Sequence, residues 1–258
     1  MKYEGFQRRI IDSSKKHSSR LVIALDIVSN DRSTILKGAL NILDEVSPYI
    51  AAIKLNYHVL LPLSLFEDVK MIVDRAHNEG LQVIADLKLN DIESTNLVAT
   101  NYLWSVGFDA AIVNPFVGYE GGLKQVIDEA HRNERGIILL VYMSHPGARE
   151  GYGLTVIDPI QSKRLYIYEL FLDRALNWGV DGIIVGATVP KLINEVAMKV
   201  QKKLLIFCPG VGVQGGDIYE TVKAGADFII VGRSIINAPN PRKVAEEMCR
   251  ATFSPWSL

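Results

Sequence analysis

The stretch QVIADLKLNDIE at residues 82–93 runs from a continuous apolar segment directly into a group of charges. Its first part, Val83-Ile84-Ala85, lacks the apolar–polar alternation of a strand with one exposed face. Continuous apolar strands are typical of parallel sheets that helices cover on both faces. We therefore expect residues 82–87 to form an inner strand, with charges at its carboxyl end.

Seven further runs of this kind recur at intervals of roughly thirty residues, and segments with helical periodicity lie between them. The predicted strands are 21–25, 50–55, 82–87, 110–114, 137–142, 182–185, 204–207 and 228–231. The predicted helices are 35–46, 65–76, 94–106, 123–130, 161–178, 189–200, 217–224 and 242–249.

Eight β-then-α units without a linker predict an α/β chain whose residues 21–258 form one (β/α)8 TIM barrel. Residues 1–20 are a polar, basic lead segment. Glycine followed shortly by aspartate recurs where a predicted helix meets the next strand, as at Gly107, Gly179 and Gly225, and suits the left-handed position that ends a helix. A doubly wound open sheet is the alternative, because a count of strands does not show closure.

Composition limits the classes of function. Lys and Arg number 28 and Asp and Glu 29, so no basic surface predicts binding to nucleic acid or to an anionic membrane. No apolar run has the length of a membrane span, and the N-terminus lacks the apolar stretch of a signal peptide. The two cysteines, Cys208 and Cys249, lack metal-ligand spacing and suit a reducing compartment. We expect a cytoplasmic protein.

Charged residues follow three consecutive predicted strands. Asp86 and Lys88 point to the same face of their strand because side chains alternate, and Asp91 follows at the entry to the next helix. Asp26 and Lys54 end the two preceding strands. A structural ion pair would explain Asp86 and Lys88, and a helix cap would explain Asp91. Buried charges are costly and exposed pairs stabilise little, so charges at three strand ends favour function.

The chemistry of this cluster follows from its charges. A lysine flanked by carboxylates stays protonated, which suits a general acid that delivers a proton to a carbanion. A fixed aspartate beside it repels an anionic group on the substrate, and this accelerates a reaction that relieves the repulsion in the transition state. The cluster therefore predicts carbanion chemistry on an anionic substrate.

The last two strands end in loops that suit a phosphate. Cys208 is followed by PGVGVQGGD at residues 209–217, and strand eight by Gly232-Arg233. Barrel enzymes frequently bind phosphate at these two loops through backbone N–H groups, and arginine adds a bidentate contact. The loop also reads G-x-G-x-x-G, a dinucleotide motif, but no acidic residue ends the next strand where a ribose partner is expected. Alternatively, the glycines of this loop serve only to form a tight structural turn.

Together these residues resemble the orotidine 5'-phosphate decarboxylase family. The resemblance runs from the strand that ends at Asp26 to Gly232-Arg233, and so covers most of the chain. It depends on the combination of three segments: DLKLNDI at residues 86–92, MSHPG at residues 143–147, and the glycine loop after residue 208. After Lys54 the chain reads Leu-Asn-Tyr-His, where the family often has glycine and proline.

The resemblance implies decarboxylation of orotidine 5'-phosphate to UMP in pyrimidine biosynthesis, without a metal or an organic cofactor. Lys88 would protonate C6, Asp86 would crowd the substrate carboxylate, and Lys54 and Asp91 would complete the charge network. The implied substrate-binding residues are Asp26 and Lys54 for ribose, Ser144 for the pyrimidine, and Pro209, Gly210, Gln214, Gly232 and Arg233 around the phosphate. The resemblance also implies a homodimer in which Asp91 and Thr95 enter the neighbouring site.

Two other functions remain open. One is a magnesium-dependent sugar-phosphate lyase or decarboxylase of the hexulose-phosphate synthase and 3-keto-gulonate-phosphate decarboxylase type, which shares the barrel and the Asp-x-Lys-x-x-Asp motif. The other is a catalytically silent barrel that binds phosphorylated ligands. His58 and His145 lie near the predicted mouth and are interpreted as packing or loop-shaping residues.

Overall fold

The computed structural model describes residues 4–158 and 162–252. The strands are β1 (Leu21–Ala24), β2 (Ala52–Asn56), β3 (Gln82–Leu89), β4 (Ala110–Val113), β5 (Gly136–Tyr142), β6 (Thr155–Ile157), β7 (Arg164–Tyr166), β8 (Gly182–Val185), β9 (Leu205–Pro209) and β10 (Phe228–Val231). The helices are α1 (Gly5–His17), α2 (Arg32–Val46), α3 (Tyr57–Leu60), α4 (Lys70–Asn78), α5 (Glu93–Val106), α6 (Lys124–Arg132), α7 (Ala148–Gly151), α8 (Ile167–Trp178), α9 (Pro190–Val200), α10 (Ile218–Lys223), α11 (Arg233–Ile236) and α12 (Pro241–Thr252). A π-helical turn, Leu65–Val69, precedes α4.

Eight of the strands close into a parallel barrel in the order β1-β2-β3-β4-β5-β8-β9-β10, with β10 paired back to β1. The predicted (β/α)8 barrel is confirmed, and the open-sheet alternative is wrong because each of the eight strands has a parallel neighbour on both sides, which leaves this sheet without an edge strand. Among the described helices, none has the length and apolar character needed to cross a membrane.

Alternation along the strands divides the core into two parts. Outward-facing residues such as Ile23, Ile53 and Val83 pack under the surrounding helices. Inward-facing residues form a second cluster inside the barrel, where the rings of Phe207 and Phe228 stack at 5.1 Å opposite small side chains on β1 and β2. The same alternation carries Lys54 and Asp86 toward the interior near the carboxyl ends of β2 and β3.

The lead segment forms a helix that closes the amino-terminal end of the barrel. Helix α1 buries Phe6 and Ile10 completely against the inner cluster. The Phe6 ring occupies the place where a side chain at Gly136 would project, because a Cβ there would lie 2.3 Å from Phe6 Cδ1. Glycine at the start of β5 therefore makes room for the aromatic plug.

The recurrent glycine–aspartate joints do more than end helices. Gly107, Gly179 and Gly225 all have positive φ, as predicted. The aspartate two residues later accepts a hydrogen bond from a backbone N–H in the neighbouring strand: Asp109 from Val83, Asp181 from Ile137 and Asp227 from Ile206, each at 2.8–2.9 Å. These buried carboxylates fix where each strand begins relative to its neighbour.

The predicted helix 161–178 is wrong in its first part. Residue 161 lies outside the described residues, and Arg164–Tyr166 pairs as β7 with β6 in an antiparallel hairpin. Helix α8 begins only at Ile167, where the carboxylate of Glu169 accepts the N–H of Tyr166. Leu165 fits the helical spacing of the apolar residues that follow, but it is buried as the inward residue of a short strand.

Replacing Phe6 with Ala tests whether α1 is part of the hydrophobic core. A fully buried phenylalanine cut to alanine leaves a cavity, so we expect the free energy of unfolding to fall by about 3–5 kcal/mol. Phe116→Ala is the matched control, since Phe116 is 68% exposed and its truncation should cost about 1 kcal/mol or less. Equal losses in denaturant titrations of the two variants would show that α1 is not part of the core.

Candidate active site

A cavity of about 210 Å³ opens at the carboxyl ends of the barrel strands. Its floor is apolar, formed by Ile112, Leu140, Ile184 and Ile230 from four strands. Charged and polar groups lie above this floor. They are Asp26, Lys54, Asp86, Lys88, Ser144, Gln214, Arg233 and Ser234, with the backbone of Pro209, Gly210 and Gly232. The site therefore joins an apolar base to a charged rim.

One carboxylate organises the charged side of the cavity. Asp86 accepts a hydrogen bond at one oxygen from Lys54 Nζ, at 2.5 Å, and at the other from Lys88 Nζ, at 2.6 Å. Lys54 and Asp86 are almost fully buried, whereas the Lys88 side chain is one-third exposed at the cavity. The sequence predicted these three charges at one rim within a larger cluster that also included Asp26 and Asp91, and the structure joins the three as an ion triad.

The protonation state of Asp86 follows from two opposing effects. Burial would raise the pKa of the carboxyl group, but the charges and hydrogen bonds of Lys54 and Lys88 lower it by more, so the pKa lies below its ordinary value. Asp86 is therefore an anion at neutral pH, held between two ammonium groups that present positive charge to the cavity.

The backbone at Lys88 is held in an unusual conformation. Its φ is +49°, in the left-handed region that non-glycine residues seldom adopt. The register between β3 and β4 shifts between Ala85 and Leu89, so a bulge surrounds this residue. Bulges re-aim side chains at barrel rims, and this one turns Lys88 back onto Asp86. Spacing in the sequence placed Lys88 on the correct face but did not predict the bulge.

The glycine loop after β9 is a tight, internally bonded turn. Gly210, Gly212 and Gly215 all have φ between 81° and 101°. The N–H of Gly216 donates to the carbonyl of Gly210, and the N–H of Gly212 donates to the carbonyl of Gly216. The loop also lies close to the segment that follows β5, because a Cβ on Gly210 would lie 2.6 Å from Ser144 Cβ. The loop is therefore both a tight structural turn and part of the cavity wall.

Three predicted binding residues meet at this side of the cavity. The Ser144 hydroxyl donates to Gln214 Oε1 at 2.8 Å, joining the loops after β5 and β9. Arg233 begins α11 and is exposed at the cavity, and none of the ion pairs between described residues includes it. Its guanidinium is therefore available to an anion. Val211, Val213 and Ser234 also line the cavity and were not predicted, since nothing in their residue types indicates a site.

Asp91 and Thr95 lie outside the cavity of the single chain. Both are exposed, and neither is among the lining residues. The alternative reading of Asp91 as a helix cap is wrong: α5 has Ile92 as its N-cap, and Asp91 Oδ1 accepts the neighbouring N–H of Ile92. The Glu93 carboxylate accepts a hydrogen bond from the backbone N–H of Gln125.

A closed (β/α)8 barrel with a charged cavity at the carboxyl ends of its strands is the architecture of the barrel enzymes, which frequently bind phosphate at the loops after their last two strands. Comparison with known proteins narrows this class. The model of the orotidine 5'-phosphate decarboxylase / HUMPS family matches residues 19–248, and the chain belongs to that family. The resemblance found in the sequence is confirmed.

Individual relatives agree with this assignment. Orotidine 5'-phosphate decarboxylase of Pyrococcus abyssi is 38% identical over 88% of this chain and 96% of its own length. A crystal structure of orotidine 5'-monophosphate decarboxylase from Methanocaldococcus jannaschii, complexed with the inhibitor BMP, is similar with a TM-score of 0.73 and 30% identity, covering 91% of this chain and 98% of that one. Leishmania donovani UMP synthase shares the fold (TM-score 0.81, 23% identity); the match covers 97% of this chain and 56% of the longer one.

Two alanine substitutions in the glycine loop separate backbone strain from collision. Both Gly210→Ala and Gly215→Ala force alanine into positive φ, which costs on the order of 1 kcal/mol. Only at Gly210 would the new Cβ also meet Ser144 and Gln214, whereas nothing lies within 4 Å of it at Gly215. We expect Gly210→Ala to weaken UMP binding more than about tenfold, a loss of about 1.4 kcal/mol, and Gly215→Ala to weaken it much less.

Isothermal titration with UMP measures the difference between the two variants. Equal affinities would contradict the contact between this loop and the Ser144 wall.

Proposed function

We propose that this protein is a carboxy-lyase that converts orotidine 5'-phosphate to UMP and carbon dioxide in de novo pyrimidine biosynthesis. The observation that carries the proposal is the buried Asp86 bound by two lysines, one of which, Lys88, faces the cavity. The family and the decarboxylase relatives at 35–38% identity support the same reaction.

The chemistry begins with repulsion. A substrate carboxylate brought above Asp86 meets a fixed negative charge, and departure of carbon dioxide removes that repulsion in the transition state. The bond between C6 and the carboxyl carbon breaks, and its electron pair remains on C6. Lys88 Nζ then donates a proton to C6, and solvent returns a proton to the neutral amine. Lys54 keeps Asp86 ionised and in place throughout.

Contacts remote from C6 hold the substrate against this repulsion. Arg233 and Gln214, with the backbone of Pro209, Gly210 and Gly232, lie where they would surround a phosphate at the ends of β9 and β10. In this proposal Ser144 contacts the pyrimidine, and Asp26 and Lys54 contact ribose hydroxyls.

A homodimer completes the proposal. Exposed apolar side chains lie on the π-helical turn and on or directly beside α3 and α5, the helix that carries Thr95. Each of them is at least half exposed: Tyr57, Leu61, Phe66, Ile92 and Tyr102. Phe66 and Tyr102 pack edge to face, so the patch continues across two of these elements. A second copy seated here would bury the patch and bring Asp91 and Thr95 toward its neighbour's cavity.

The magnesium-dependent sugar-phosphate alternative is not favoured. Both oxygens of Asp86 already bind ammonium groups, which leaves this carboxylate poorly suited to a hard cation that needs free oxygens. The curated relatives are named as decarboxylases of orotidine 5'-phosphate. We propose that the reaction uses no metal or organic cofactor and takes place in the cytoplasm, where the unpaired, buried Cys208 and Cys249 remain reduced.

A metal-free assay tests the proposed function. We expect orotidine 5'-phosphate to be consumed at the same rate with and without excess EDTA, as followed by the loss of its ultraviolet absorbance, and UMP to appear in equal amount. A hexulose phosphate with added magnesium serves as the control substrate and should not react. Absence of decarboxylation in EDTA, with magnesium-dependent turnover of the sugar phosphate, would overturn the assignment.

A further inference from the structure

We propose that Asn56 is a positioning residue that holds the Asp26 carboxylate ready for a ribose hydroxyl. The inference rests on the proposed function, because it assigns the task of Asp26 in that site. It concerns a position where the chain differs from the glycine and proline that often follow the strand-two lysine, and Asn56 does not itself line the cavity.

The geometry places Asn56 beside Asp26 at the ends of the first two strands. Asn56 lies two residues after Lys54 on β2, so both side chains leave the same face of the strand. Its amide Nδ2 donates to Asp26 Oδ1 at 2.7 Å. The other oxygen, Asp26 Oδ2, lies 2.7 Å from the position that a Cβ would take on Gly232. One oxygen is thus tethered while the other points toward the end of β10.

The orientation of the amide follows from its partners. A carboxylate only accepts hydrogen bonds, so the group facing Asp26 must be the NH₂ of Asn56. The amide oxygen then accepts from the backbone N–H of His58, at 3.0 Å, and faces His58 Nδ1 at 2.9 Å. In this arrangement Nδ1 is the donor of that contact. The three side chains form one chain of donors and acceptors.

These hydrogen bonds restrain the side chain of Asp26, which otherwise has rotational freedom. Asp26 is partly exposed at the cavity, with 23% of its side chain accessible. Among the described residues, its side-chain contacts within 4 Å that form hydrogen bonds or ion pairs are those with Asn56 and, at 3.7 Å, His58. Holding Oδ1 leaves Oδ2 as a pre-oriented acceptor, so the ordering cost is met before the ligand arrives. A hydroxyl donor on the ligand is the group that such an acceptor recognises.

Asn56 also has a structural role that the test must separate. Its side chain is the N-cap of α3, accepting the N–H of His58. An aspartate at this position keeps that acceptor and caps helices as well as asparagine does. It loses the donor to Asp26 and places a second negative charge beside it. Asn56→Asp therefore preserves the cap and breaks the positioning contact, whereas Asn56→Ala removes both.

The experiment measures the affinity of the full-length protein for two ligands by calorimetry. UMP carries both ribose hydroxyls, and 2′,3′-dideoxyuridine 5′-monophosphate carries neither. We expect Asn56→Asp and Asn56→Ala each to weaken UMP binding by about tenfold or more, the effect of losing one charged hydrogen bond. Binding of the dideoxy ligand should change less than about twofold, a difference of about 0.4 kcal/mol.

A double-mutant cycle adds a second readout. If Asn56 acts through Asp26, then Asn56→Ala should have little further effect on UMP binding once Asp26→Ala is present. Equal losses for both ligands, wild-type behaviour of Asn56→Asp, or additive losses in the double variant would each overturn the proposal. Failure of the wild-type protein to decarboxylate orotidine 5'-phosphate would instead overturn the proposed function, so the two failures are distinguishable.

Discussion

The buried ion triad of Lys54, Asp86 and Lys88 is the interaction on which the function of this barrel depends. Removing these charges from water is costly, and an apolar replacement of similar size would stabilise the fold at least as well. The protein keeps them at the end of a strand that is otherwise apolar, and bends the backbone at Lys88 into positive φ to complete the contact. A gain in stability does not explain why the protein bears the free-energy cost of desolvating these charges, whereas chemistry at the cavity does.

The rest of the fold holds the triad in place. The aspartates at the glycine joints fix the start of three strands against their neighbours, and register at the start of a strand determines which residues arrive at its end. Helix α1 fills the opposite end of the barrel with Phe6, so the interior is packed from the amino-terminal side up to the apolar floor of the cavity. Substrate therefore enters from the carboxyl ends of the strands, where the cavity opens.

Much of the fold was predictable because it repeats. Eight apolar runs with helices between them give the barrel, and strand alternation alone places Asp86 and Lys88 on one face. The pairing of β6 with β7 was missed because Leu165 fits a helical period as well as a strand. The burial of Phe6 was missed because one aromatic residue in a basic segment carries no periodic signal, and its partner is a glycine far along the chain.

Residue type and position predicted Asp26 and Arg233, and the family resemblance added Ser144 and Gln214; all four line the cavity. The bulge at Lys88 and the tether from Asn56 to Asp26 were not predicted, because each depends on pairing between strands. The sequence did hold a signal for Asn56, which lies two residues beyond Lys54 on the same face of its strand. The roles of Asp91 and Thr95 depend on a second subunit and remain a proposal.

Turnover by Lys88→Ala tests the central claim most directly. Truncation removes the proton donor but leaves Lys54 on Asp86, so decarboxylation should fall by about 10²–10⁴-fold while UMP affinity stays within a few-fold of wild type. Lys70→Ala, which removes an exposed lysine paired with Asp74 on α4, should leave turnover unchanged. Near-normal turnover by Lys88→Ala would contradict the proton-donor role and with it this account of the charged cavity.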